Sequence, residues 1–155
     1  MKRITVLLVD DNRVVRLELR ELLDLAADVE VVGEAKNGRR AVALAKKLRP
    51  AVVLMDVAMP QLNGFEATRQ ILKAVPTTKV LMLSAHHDDA YVEEATRLGA
   101  MGYLIKQTCA TDVCRAVRQV QKGKPYFSPS LPLRLRQQKR NRSAAAPRNR
   151  SAEQT

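Results

Sequence analysis

The sequence predicts an α/β domain built as a doubly wound, open parallel sheet with helices on both faces. Three observations carry this. Strand-length apolar runs alternate with helix-period segments through the first 123 residues. The run Ala51 to Met55 is apolar on both faces, as a strand covered by helices on both sides must be. Right-handed crossovers and short loops then leave few arrangements for five such βα units.

Ile4 to Val9 is the first strand, and Val14, Val15, Leu17, Leu19, Leu22, Leu23 and Leu25 keep helical spacing after it. Val29 to Val32 forms a second strand, followed by an alanine- and lysine-rich helix from Gly38 to Leu48 that Pro50 stops. Ala51 to Met55 is the third strand and Asp56 ends it. After the turn Met59-Pro60-Gln61-Leu62-Asn63-Gly64, a helix from Phe65 to Ala74 stops before Pro76. Lys79 to Leu83 is the fourth strand. Asp88 and Asp89 supply an acidic first turn to a helix that runs through Leu98, with Gly99 placed for a left-handed cap. Met101 to Ile105 is the fifth strand, and a helix from Ala110 to Lys122, with Val113, Val117 and Val120 along one side, ends at Gly123.

Beyond Pro125 the pattern changes. Pro125, Pro129, Pro132 and Pro147 interrupt a stretch of Arg, Gln, Ser and Ala that cannot bury a core. The reading is one domain over residues 1–123, a linker over 124–135 and a disordered basic tail over 136–155. Within the linker, Tyr126-Phe127 with Leu131, Leu133 and Leu135 is expected to pack locally against the last helix.

The 155 residues, 46% of them hydrophobic, suffice for one core but not for two of ordinary size. The formal charge of +11 is uneven, because residues 131–155 hold seven Lys or Arg against Glu153. No apolar run approaches the roughly 20 residues of a membrane span. Asp10-Asp11 follows the first apolar run where the small residues of a signal cleavage site would belong, so the expectation is a cytoplasmic protein. Cys109 and Cys114, five apart on a helix, point about 140° apart and read as small fillers in a reducing compartment.

Four apolar runs end in a polar residue that phosphoryl transfer could use: Asp10 and Asp11, Asp56, Ser84, and Lys106. In a parallel sheet those carboxyl ends lie along one edge, so the five side chains converge on one crevice. Three carboxylates that close resist joint ionisation, and a hard divalent cation, Mg2+, would hold them deprotonated. Each Asp alone would pass for a helix cap. Their ordered company with Ser84 and Lys106 argues for a site.

These residues resemble the receiver domain of two-component response regulators over roughly residues 3–123. The likeness rests on Asp10-Asp11, on Asp56 followed by Met59-Pro60 and Gly64, on Ser84-Ala85, and on Lys106 after Tyr103. It implies a flavodoxin-like (βα)5 sheet of strand order 2-1-3-4-5. It further implies that Asp56 is the phosphoacceptor for the histidine of a sensor kinase or phosphotransfer protein. Asp10, Asp11 and Asp56 would hold Mg2+, Lys106 would pair with Asp56 and then with the phosphoryl group, and Ser84 and Tyr103 would form the conformational switch. Ala58 and His86, two residues beyond Asp56 and Ser84, would set the lifetime of the acyl phosphate. Such a domain signals to a downstream protein or relays the phosphoryl group, and catalyses only its own phosphorylation and dephosphorylation.

The segment Gly123 to Pro129 resembles the stretch after the receiver in NarL/FixJ-type regulators, before their helix-turn-helix. Only 28 polar-rich residues run from Ser128 to the last residue, so no sequence-specific DNA binding is expected. Gln107 stands where many receivers carry proline. Two other readings compete. An aspartyl-nucleophile phosphatase of the haloacid dehalogenase type wants a second Asp two places after the first, where this chain has Asn12. A nucleic-acid binder would work through Arg134, Arg136, Lys139, Arg140, Arg142, Arg148 and Arg150; with no aromatic interleaved, it would bind weakly and in a salt-sensitive way.

Overall fold

The computed structural model describes residues 2–59, 62–85, 89–131 and 136. Six strands form a parallel sheet in the order β2-β1-β3-β4-β5-β6: β1 Ile4–Val9, β2 Val29–Ala35, β3 Val52–Asp56, β4 Lys79–Ser84, β5 Gly102–Ile105 and β6 Tyr126–Phe127. The first five strands follow the expected order. Helices α1 Arg13–Asp24, α2 Gly38–Leu48, α3 Gly64–Ala74, α4 Asp89–Arg97 and α5 Val113–Gln121 join them, with a 3-10 turn Lys106–Thr111 ahead of α5.

Alternate residues of each strand point to opposite faces, which divides the core in two. Leu7, Val9, Val53, Met55, Val80, Met82, Tyr103 and Ile105 face α2, α3 and α4. Val6, Leu8, Val52, Leu54, Leu81, Leu83 and Leu104 face α1 and α5. β3 is buried throughout, as its doubly apolar sequence requires. Along α1 the buried stripe narrows to Leu19 and Leu23, and the apolar Val14 and Leu17 are more than half exposed.

Three of the helices start on asparagine. The side chains of Asn12, Asn37 and Asn63 accept hydrogen bonds from backbone N–H groups in the first turns of α1, α2 and α3, which otherwise lack partners. Gly99, after α4, takes φ +99°, the left-handed conformation its position suggested. Arg49 ends α2 in the same region without that freedom, at φ 47°.

Three elements differ from expectation. The strand read as Val29 to Val32 continues to Ala35, because a bulge between the pairs Val6–Val31 and Leu7–Gly33 absorbs one residue and restores register. The last helix is shorter, since a 3-10 turn occupies Lys106–Thr111. Tyr126-Phe127 does not merely pack on α5; it forms β6, parallel to β5, with Ser128 N–H donating to Tyr103 O at 2.9 Å. Gly102 permits that approach, because a Cβ there would sit 2.2 Å from Tyr126 O. Leu131 is then buried in the core on the α4 side. The expected disorder falls almost wholly on residues outside those described, as do Leu133, Leu135 and the basic side chains beyond Arg136. Among the described residues, no helix is long and apolar enough to cross a membrane.

Candidate functional site

Strand order reverses between β1 and β3, whose connections leave to opposite sides, and this opens a crevice beyond their carboxyl ends. Asp10 follows β1 and Asp56 ends β3, so each carboxylate reaches into that crevice from a neighbouring strand. Asp10 is 1% exposed and Asp56 2%, whereas Asp11 is open to solvent. One oxygen from each of the three lies within 4.8 Å of the others.

Lys106, the first residue after β5, closes the group from the other side. Its Nζ lies 2.9 Å from Asp10 Oδ2 and 3.2 Å from Asp56 Oδ1. Burial alone would lower the pKa of the ammonium, but the hydrogen bond to Asp10 and the charges of Asp56 and Asp10 outweigh it and raise the pKa above the ordinary lysine value. Asp56 moves the other way for an acid. Burial, then the charge of Asp10, push its carboxyl up to about 6 against the opposing pull of Lys106 and of the Ala58 N–H.

One ammonium cannot balance three carboxylates, and Asp56 Oδ2 is buried with no hydrogen-bond partner. An unpartnered buried carboxylate oxygen beside two further acids suits a hard divalent cation, which takes oxygen ligands. The donor set fits Mg2+.

Ser84 ends β4, 2% exposed, one residue past the Leu83 that pairs with Asp56. Tyr103 is fully buried on β5. Ser84 pairs with Ile105 and Met82 with Tyr103, so the pleat puts Ser84 and Tyr103 on the same face, toward α4. Ala58 is exposed just beyond Asp56, and His86 lies outside the described residues. Asn12, where a second catalytic acid of a phosphatase would stand, caps α1 through Oδ1 on the N–H groups of Val14 and Val15.

The sequence reading did not single out Arg16 or Glu34, nor the capping roles of Asn12 and Asn63. Asn63 Oδ1 accepts from Glu66 N–H and so starts α3 close against the end of β3, where a Cβ on Gly64 would lie 2.1 Å from Asp56 O. An asparagine ahead of a helical run is a legible cap signal. The contacts of Arg16 with Asp10 and Glu34 have none, being 6 and 18 residues apart.

The family model described as the response regulator receiver domain matches residues 6–118, a span that contains every one of these groups. The chain belongs to this family. Among curated relatives, this receiver is 39% identical over 140 residues to the response regulator protein VraR of Staphylococcus aureus, covering 90% of this chain and 67% of the relative. Among solved structures it is similar to the response regulator domain of Thermotoga maritima CheB, at 35% identity and a TM-score of 0.74, covering 80% of this chain and all of the other. The signal receiver domain of the NarL regulator from Mycobacterium tuberculosis aligns at 34% identity and TM-score 0.76, again over 80% of this chain and 100% of the other. Receiver domains are phosphoacceptor signalling units of two-component systems, with phosphorylation on aspartate and Mg2+ as general features.

Proposed function

We propose that this receiver takes a phosphoryl group on Asp56 from the phosphohistidine of a sensor kinase or phosphotransfer protein in the cytoplasm. It then signals to a protein partner through Ser84 and Tyr103, or relays the group onward. The observation that carries the reading is Asp56 itself: a buried carboxylate with one oxygen unpartnered and the other 3.2 Å from Lys106 Nζ.

In the transfer, an Asp56 oxygen forms a bond to phosphorus as the P–N bond to the donor imidazole breaks, and the imidazole nitrogen leaves with that bond's electron pair. Asp10, Asp11 and Asp56 would hold Mg2+, which when bound neutralises charge on the carboxylates and the incoming phosphoryl oxygens. Lys106 keeps its ammonium at neutral pH and, on a flexible stem, follows the charge from Asp56 to the phosphoryl group. Ser84 offers a hydroxyl to a phosphoryl oxygen, and Tyr103, on the same face, transmits the change toward α4. Ala58, two residues beyond Asp56 in sequence, and His86, two beyond Ser84, set how readily water reaches the acyl phosphate.

Incubation with Mg2+ and acetyl phosphate, followed by intact mass measurement, tests the proposal. The wild-type chain is expected to gain one phosphoryl group, and Asp56→Asn and wild type in EDTA to gain none. Equal gain by Asp56→Asn would reject it.

A further inference from the structure

We propose that Arg16 is a positioning residue for the metal-binding loop and that its ion pair with Glu34 holds it in place, an inference that rests on Asp10, Asp11 and Asp56 being the cation ligands. Arg16 lies in the first turns of α1 with its side chain 15% exposed. Its Nη1 donates to the main-chain carbonyl of Asp10 at 2.6 Å, and its Nε donates to Glu34 Oε1 at 2.9 Å. The second Glu34 oxygen accepts from Arg20 Nη1.

The Asp10 backbone is thereby held from both sides, since its N–H donates to Ala35 O at 3.1 Å while its carbonyl accepts from the guanidinium. A peptide group is planar, so fixing the direction of the Asp10 carbonyl also fixes the Asp11 amide and the direction in which the Asp11 chain departs. Asp11 is exposed, whereas Asp10 is buried and Asn12 N–H donates to its Oδ1 at 2.9 Å. The guanidinium therefore matters most to the ligand that the core does not hold. A rigid planar donor with two edges occupied suits this task better than a flexible ammonium.

Glu34 has a second effect. A lone guanidinium beside a cation site would repel the cation, and the carboxylate, which Arg16 shares with Arg20, offsets part of that charge while leaving the hydrogen bond to Asp10 intact. The β2 bulge is what places Glu34 there, because the restored register sets Glu34 opposite Leu8 and Ala35 opposite Val9 at the strand ends.

Arg20 provides the control, since it shares Glu34 but has no hydrogen bond to Asp10 among the contacts described. Calorimetric titration of Mg2+ into the unphosphorylated chain separates positioning from mere tethering of α1 to β2. Arg16→Ala is expected to weaken Mg2+ binding about tenfold, as loss of an outer-shell partner does, and Arg20→Ala to change it by less than about twofold. Arg16→Lys keeps the charge but a single nitrogen cannot serve both partners, so an intermediate loss of about threefold is expected. Equal effects of Arg16→Ala and Arg20→Ala, or wild-type affinity in Arg16→Ala, would overturn the proposal. Should Arg16→Ala not fold, wild-type affinity in Arg16→Lys overturns it instead. A wild-type chain that gives no Mg2+ binding heat would overturn the cation reading and the clamp together.

Discussion

At Asp56 the folded chain works against an ionised carboxylate. Its carboxyl titrates at about 6 rather than 3.8, first through burial and then through the charge of Asp10. The fold therefore binds that proton more tightly than the unfolded chain does. The favourable contribution is complete below pH 3.8 and is lost as pH rises through about 6. Two pKa units correspond to roughly 3 kcal/mol, and relaxation and water entry reduce the measurable part to about 1–3 kcal/mol. In EDTA, Asp56→Asn is accordingly expected to be more stable than wild type by that amount at pH 7 and equal to it near pH 4. Denaturant unfolding at the two pH values checks this, and saturating Mg2+ should close the gap at pH 7. A variant less stable than wild type at pH 7 would mean that Asp56 is not held under strain.

At the scale of elements, β6 shows what short strands conceal. Its two residues lie between Pro125 and Pro129, too few to display an alternating pattern, so Tyr126 and Phe127 read as linker. The information sits instead at Gly102, on the neighbouring strand, where the missing side chain makes room for Tyr126 O. Gly102→Ala is expected to detach β6, cost about 1–3 kcal/mol through overpacking, and expose the Ser128 amide that donates to Tyr103 O. Hydrogen exchange at Ser128 measures it: exchange should speed up in the variant, and unchanged protection would show that the strand adapts. The β2 bulge was equally hidden, because Val29 to Val32 already completes a plausible strand and only the pairing with β1 shows that Gly33 to Ala35 continue it. Segments with an unbroken apolar run or helical period, such as β3 and α2, were legible because burial dictates their residue types.

For the molecule as a whole, the convergence of Asp10, Asp11, Asp56 and Lys106 was legible for a topological reason. In a parallel sheet every strand delivers its last residue to the same edge, so the order of polar residues after apolar runs encodes their neighbourhood. The structure brings the three carboxylates and the ammonium together as that order implied, and sets Ser84 at the end of the adjoining strand. The positioning contacts of Arg16 and Glu34 were not legible, because they depend on how far β2 extends and not on any local period. The central claim is that this shared edge makes Asp56 the nucleophile. Peptide-level mass spectrometry of the chain after reaction with acetyl phosphate and Mg2+ locates the modified residue. A hydroxylamine-labile phosphoryl group on Asp56 is expected, and a stable group on Ser84, or label on His86 or His87, would contradict it.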